Sequence, residues 1–145
     1  MAKKINILLV DDNRDDRLIM QLAFEEIPFN SFQIVNDGVD AVAYLKAEGK
    51  FSDRNKFPLP TVMLLDLKMP LMNGFEVLEW VRQQPGLKRL PIFTLTSSNR
   101  FEDIERAYDL GTSGFLIKPA DLKDLRQMLK TLLEWIAFNE FTSLT

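Results

Sequence analysis

Five times along this chain a short apolar run of strand length gives way to a segment with helical spacing, and that alternation limits the fold more than any other feature. Residues 5–10 (INILLV) form the first run. Residues 14–27 then put Leu18, Ile19, Leu22, Ala23 and Ile27 on one face, which predicts an amphipathic helix buried along that face, with Asn13 or Asp12 as N-cap. Residues 31–35 read as a second strand, and Asn36-Asp37-Gly38 as a turn into a helix over 39–48. The polar, proline-bounded stretch 49–60 reads as a loop. The third run, 61–65, is almost wholly apolar, as expected of a central strand covered on both faces. A helix over 74–84 is stopped by Pro85-Gly86, and Pro91 opens a fourth strand at 92–95. A helix over 101–110 ends at Gly111, a fifth strand spans 114–117, and Asp121 caps a last helix from 122 to about 138. The closing Phe-Thr-Ser-Leu-Thr reads as a frayed end.

Repeated strand–helix units imply a parallel sheet with helices on both faces, and right-handed crossovers leave few topologies. Five strands fit an α/β, flavodoxin-like doubly wound sheet in the order 2-1-3-4-5. The 145 residues fit one domain, with a core from about residue 4 to 138; no second core or long linker is visible, so no output domain is expected. With 46% hydrophobic and 27% charged residues the balance is globular. A net charge of −3 without basic runs argues against nucleic acid as a partner. No run approaches a membrane span and the N-terminus lacks a signal-peptide pattern, so a cytoplasmic location is expected. The chain contains no cysteine and no histidine, which removes thiol chemistry, histidine bases and the common zinc sites.

Four marks fall where strands end: Asp11-Asp12, Asp66, Thr96 and Lys118-Pro119. In an open parallel sheet those ends line the ligand crevice. Two adjacent carboxylates can hold a hard cation, or they can simply favour the start of a helix whose first turn also carries Asp15 and Asp16. Asp66 is better placed as a nucleophile than as a cap, because Leu67-Lys68-Met69-Pro70 delays the next helix. Thr96 can bond a phosphoryl oxygen, while Ser98 or Asn99 serves as the cap of the following helix. Lys118 can balance the acids as a point charge. Three carboxylates, a hydroxyl and an ammonium suit a divalent cation and a phosphoryl group.

Leu8-Leu9-Val10-Asp11-Asp12-Asn13, Leu64-Leu65-Asp66-Leu67-Lys68-Met69-Pro70-Leu71-Met72-Asn73-Gly74, Leu95-Thr96-Ser97-Ser98 and Gly114-Phe115-Leu116-Ile117-Lys118-Pro119 span nearly the whole chain in order. In this combination the sequence resembles the response-regulator receiver domains of two-component signalling. The insertion at 49–60 and the stand-alone length are similar to the receivers paired with cyanobacterial and bacterial phytochromes.

The resemblance implies that Asp66 accepts a phosphoryl group from the phosphohistidine of a sensor histidine kinase, here one of phytochrome type. It implies that Asp11, Asp12, Asp66 and the backbone carbonyl of Lys68 hold Mg²⁺. It further implies a switch in which Thr96 moves toward the phosphoryl group and Phe115 turns inward, altering the surface of the fourth helix, fifth strand and fifth helix. Many relatives carry tyrosine at the Phe115 position; phenylalanine keeps the ring and loses the hydroxyl. Lys68 and Ser98 occupy positions that tune dephosphorylation in the family.

On the last helix, Leu122, Leu125, Leu129, Leu132 and Ile136 form a core stripe. Met128, Trp135 and Phe138 form a second stripe, read as the contact of a homodimer, with Trp135 and Phe138 resembling interface anchors. Three other functions compete. A degenerate receiver acting only as a dimerising or docking module is disfavoured because every site residue is present. A haloacid-dehalogenase-type phosphatase needs a second aspartate two places after the nucleophile, where this chain has Lys68. A nucleotide binder needs a phosphate loop after the first strand, where this chain has Asp-Asp-Asn-Arg-Asp-Asp.

Overall fold

The computed structural model describes residues 4–139; the segment read as a frayed end, 141–145, lies outside the described residues. Five strands alternate with five α-helices: β1 (Asn6–Val10), α1 (Arg14–Phe24), β2 (Ser31–Val35), α2 (Gly38–Lys46), β3 (Val62–Leu65), α3 (Gly74–Gln83), β4 (Ile92–Thr96), α4 (Phe101–Asp109), β5 (Gly114–Ile117) and α5 (Leu122–Phe138). The strands form one parallel sheet in the order β2-β1-β3-β4-β5, as the alternation predicts. The central strands β1, β3 and β4 are apolar because both of their faces are covered. Ile7, Leu9, Leu64 and Leu95 face α1 and α5, whereas Leu8, Val10, Met63 and Leu65 face α2 and α3. Among the described residues no helix is long and apolar enough to cross a membrane.

Local chemistry sets the helix ends. Asn13 caps α1 by accepting from the Asp16 N–H, Asp37 caps α2 and Asp121 caps α5. Asn73 and Glu76 form a reciprocal capping box at the start of α3. Gly111, at φ +100°, follows α4 in the left-handed region that favours glycine. The N-cap position of α4 is Arg100 rather than Ser98 or Asn99, and it makes no side-chain cap bond. Ser98 still ties that first turn, since its hydroxyl donates to Asp103 Oδ2 at 2.7 Å.

The helix α1 departs from its expected face. Leu18, Ile19 and Leu22 are exposed, while Met20, Ala23, Phe24 and Ile27 enter the core. The helix also stops at Phe24 rather than Ile27, before the turn that leads to Pro28. Both stripes have 3-4 spacing, and residues two apart on a helix point to nearly opposite sides. Periodicity therefore permits either face, and the large aromatic Phe24, packed on Phe32 at 4.6 Å between ring centroids, goes inward.

The loop 49–60 is built rather than loose. It begins with a turn of 3₁₀ helix, Gly49–Phe51. Phe51 and Phe57 stack around Tyr44 of α2, and the Tyr44 hydroxyl donates to Pro58 O at 2.8 Å. Arg54 donates to the carbonyls of Tyr44 and Leu45, satisfying acceptors at the end of α2. Truncating Phe51, a buried ring, is therefore expected to cost about 3 kcal/mol of unfolding free energy in Phe51→Ala. Urea denaturation checks this; a loss below about 1 kcal/mol, the range of ordinary surface changes, would remove the loop from the core.

Candidate phosphoryl and cation site at the carboxyl edge

Strand register assembles the site. Val10 of β1 pairs with Leu65 of β3, so Asp11 and Asp66 leave adjacent strands at the same level. Thr96 pairs with Ile117, so Lys118 follows one step beyond β5, and its N–H donates to Thr96 O at 2.8 Å. The Lys118–Pro119 peptide bond is trans. Two glycines let the connecting loops close over the edge. A Cβ on Gly74 would strike the backbone carbonyl of Asp66, and one on Gly38 would strike that of Met72.

The carboxylate oxygens of Asp11, Asp12 and Asp66 lie within 4.8 Å of one another. Asp11 has no exposed surface, Asp66 is 9% exposed and Asp12 is open to solvent. All three donors are hard oxygens, and the chain has neither histidine nor cysteine to add nitrogen or sulfur. Such a set fits a divalent cation of the oxygen-preferring kind.

Lys118 spans the site. Its ammonium donates to Asp11 Oδ2 at 3.0 Å and to Asp16 Oδ2 at 3.2 Å. Burial alone would lower its pKa, but the charges of Asp11, Asp66 and Asp16 outweigh burial and hold it above the ordinary lysine value. The Asp66 carboxyl moves the other way. Burial pushes it up to about 6; the Lys118 charge opposes that rise, Asp11 adds to it, and the N–H groups of Lys68 and Leu67 pull it down.

Thr96 is buried at the end of β4, and its hydroxyl oxygen accepts from the Ser98 N–H at 3.2 Å. Phe115 is half-buried against Leu67, Phe75 and Ala107, just behind Thr96 in the sheet. Ala107 is the one residue of α4 that is fully buried, and the Arg106 guanidinium lies 4.2 Å from the Phe75 ring centre. Lys68 is exposed in the loop after β3. The structure thus brings together the carboxylates of Asp11, Asp12 and Asp66 and the Lys118 ammonium, with Thr96 at the end of the neighbouring strand β4. Asp16 joins them, though in the sequence it reads only as a favourable charge at a helix start. Its place on the first turn of α1, five residues after Asp11, was the available signal. Far from this edge, Met128 is half-buried against the core, leaving Trp135 (53% exposed) and Phe138 (89%) as the open part of its stripe.

A doubly wound α/β sheet with an acid cluster at its carboxyl edge defines the class. The chain belongs to the response regulator receiver domain family, whose model matches residues 7–130. It is 36% identical over 125 residues to response regulator Rcp1 of Synechocystis sp., covering 86% of this chain and 83% of that protein. Among solved structures it is similar to the phosphorylated cyanobacterial phytochrome response regulator RcpA, with a TM-score of 0.86, 34% identity, and 97% and 100% of the two chains covered. It is also similar to the Mn²⁺-bound form of Rcp1, with a TM-score of 0.81, 32% identity and the same coverage.

A carboxyl whose folded pKa lies near 6 and whose ordinary value is 3.8 binds more protons folded than unfolded between those values. Stability should therefore fall as pH rises from about 4 to about 6, and the loss is complete above 6. The gap corresponds to about 3 kcal/mol as an upper bound. Metal-free Asp66→Asn is thus expected to be more stable than the parent chain at pH 7, by about 1–3 kcal/mol, with the difference vanishing toward pH 4. Denaturant titrations at several pH values check this; a less stable variant at pH 7 would contradict it.

Proposed function

We propose that this chain is a phosphorylation-driven signalling switch in which Asp66 accepts a phosphoryl group from the phosphohistidine of a sensor histidine kinase. The observation that carries this reading is the convergence of Asp11, Asp12 and Asp66 with the Lys118 ammonium at one sheet edge. An Asp66 carboxylate oxygen forms the new P–O bond. The P–N bond breaks, its electron pair leaves on the imidazole nitrogen, and that nitrogen takes up a proton. Phosphoryl transfer asks chiefly for positioning and charge neutralisation, and the lysine supplies the second. Asp11, Asp12, Asp66 and the backbone carbonyl of Lys68 are the residues that would hold Mg²⁺, which when bound supplies further neutralisation of the phosphoryl oxygens. The absence of histidine fits a phosphoryl acceptor that draws on a separate donor protein. Similarity to phytochrome response regulators supports a phytochrome-type kinase as that donor.

The switch follows from local packing. Thr96 moves its hydroxyl onto a phosphoryl oxygen, and Phe115 follows into the space behind it. The helix α4, held by one fully buried residue, shifts at low cost and changes the α4–β5–α5 surface. Trp135 and Phe138, exposed on α5, are the anchors proposed for a homodimer.

Intact mass after incubation with acetyl phosphate tests the chemistry. One Mg²⁺-dependent phosphoryl adduct is expected, and none in Asp66→Asn; an adduct retained in that variant would move the acceptor elsewhere. Replacing Trp135 and Phe138 together by alanine is expected to weaken self-association at least tenfold in sedimentation equilibrium, since anchors of this kind typically contribute 2 kcal/mol or more, roughly. An unchanged association constant would place the interface on another face.

A further inference from the structure

Lys118 stands between two acids that differ in how much they depend on it. Asp11 has no exposed surface; one of its oxygens accepts from the Asn13 N–H at 3.0 Å and the other from Lys118. Asp16 lies on the first turn of α1 with its side chain 41% exposed, so water can replace a lost partner there. An ammonium has three donors, and Lys118 directs two of them at Asp11 and Asp16; Asp66 acts on it by charge and accepts no hydrogen bond from it. A phosphoryl group on Asp66 adds about two negative charges and three strong acceptor oxygens to this crowded edge.

We propose that Asp16 is a positioning residue that holds Lys118 in the resting state, and that a phosphoryl group on Asp66 displaces it as the lysine's partner. The exchange falls on Asp16 because its carboxylate, 41% exposed, is rehydrated when it loses the ammonium, whereas the wholly buried Asp11 is not. Asp16 thus competes with the phosphoryl group for one ammonium and weakens the phosphorylated state. The exchange also cuts the tie that joins α1 to the β5–α5 connection across 102 residues of sequence, so α1 registers the event at Asp66. This inference rests on the reading of Asp66 as the phosphoacceptor.

The test uses the full chain with Mg²⁺ and beryllofluoride, a non-covalent stand-in for a phosphoryl group, with the bound species followed by ¹⁹F NMR. Wild type is expected to bind. Asp16→Asn is expected to bind about two- to fivefold more tightly, the range of a partly exposed ion pair. Asp16→Glu, which keeps the charge, should return toward wild type. Asp15→Asn removes the same charge from the same turn, but Asp15 is not a partner of Lys118 and this change should do far less. Equal gains in the Asp15 and Asp16 variants would reduce the effect to net charge and overturn the proposal, as would unchanged or weaker binding in Asp16→Asn. Absence of a bound resonance in wild type would overturn the phosphoacceptor reading itself and this inference with it.

Discussion

A carboxylate with no exposed surface can persist only where a cation and hydrogen bonds replace the water it has lost, and Asp11 depends on Lys118 for the cation. The rest of the carboxyl edge is arranged around that pair. It joins the first strand to the connection after the last one, and it draws in Asp16 from the helix between. Removing one partner of such a pair costs about 3–5 kcal/mol, so the edge is held firmly even where its surface is open. Burial of Asp66 beside the pair opposes charge on the very group proposed to act as nucleophile, and the nearby ammonium restores part of that charge. The site therefore sits under electrostatic tension that a bound cation would relieve.

Much of this architecture was legible in the sequence because it depends on local or strictly periodic signals. The five strands and the cap at Asp121 follow from composition within a few residues, the sheet order follows from the strand–helix alternation, and the cap of α1, open between Asn13 and Asp12 in the sequence, falls on Asn13. The gathering of Asp11, Asp12, Asp66 and Lys118 at one edge was legible because strand ends in a parallel sheet converge by topology alone. What the sequence concealed were choices made at a distance. Leu18 and Met20 offer α1 equally good apolar stripes, and only the sheet beneath decides between them. The loop 49–60 reads as polar, yet its two aromatic residues find Tyr44. Asp16 looks like an ordinary first-turn acid until Lys118, 102 residues later, arrives beside it. Met128 lies near the boundary between the two stripes of α5, and packing rather than spacing draws it toward the core.

The two ends of α4 are held very differently. Beyond its C-terminus, Arg82 donates to Gly111 O at 2.9 Å and to Leu90 O at 2.8 Å, and Thr112 donates to Gly114 O at 2.9 Å. At its start, Phe101 is exposed, the cap position makes no side-chain bond, and the tie is the Ser98 hydroxyl donating to Asp103 Oδ2.

The strand register that brings Asp11 opposite Asp66 also has a kinetic meaning. The groups at the carboxyl edge come from residues 11–16, 66, 96 and 118, four stretches well separated along the chain. Each pairing requires a long segment to be closed before the contact can stabilise anything, which makes such contacts late and slow to form. Strands β1 and β3 alone bring the three carboxylates together, whereas Thr96 and Lys118 join them only once β4 and β5 are in place. The ammonium that balances the buried Asp11 therefore arrives only with the completed sheet.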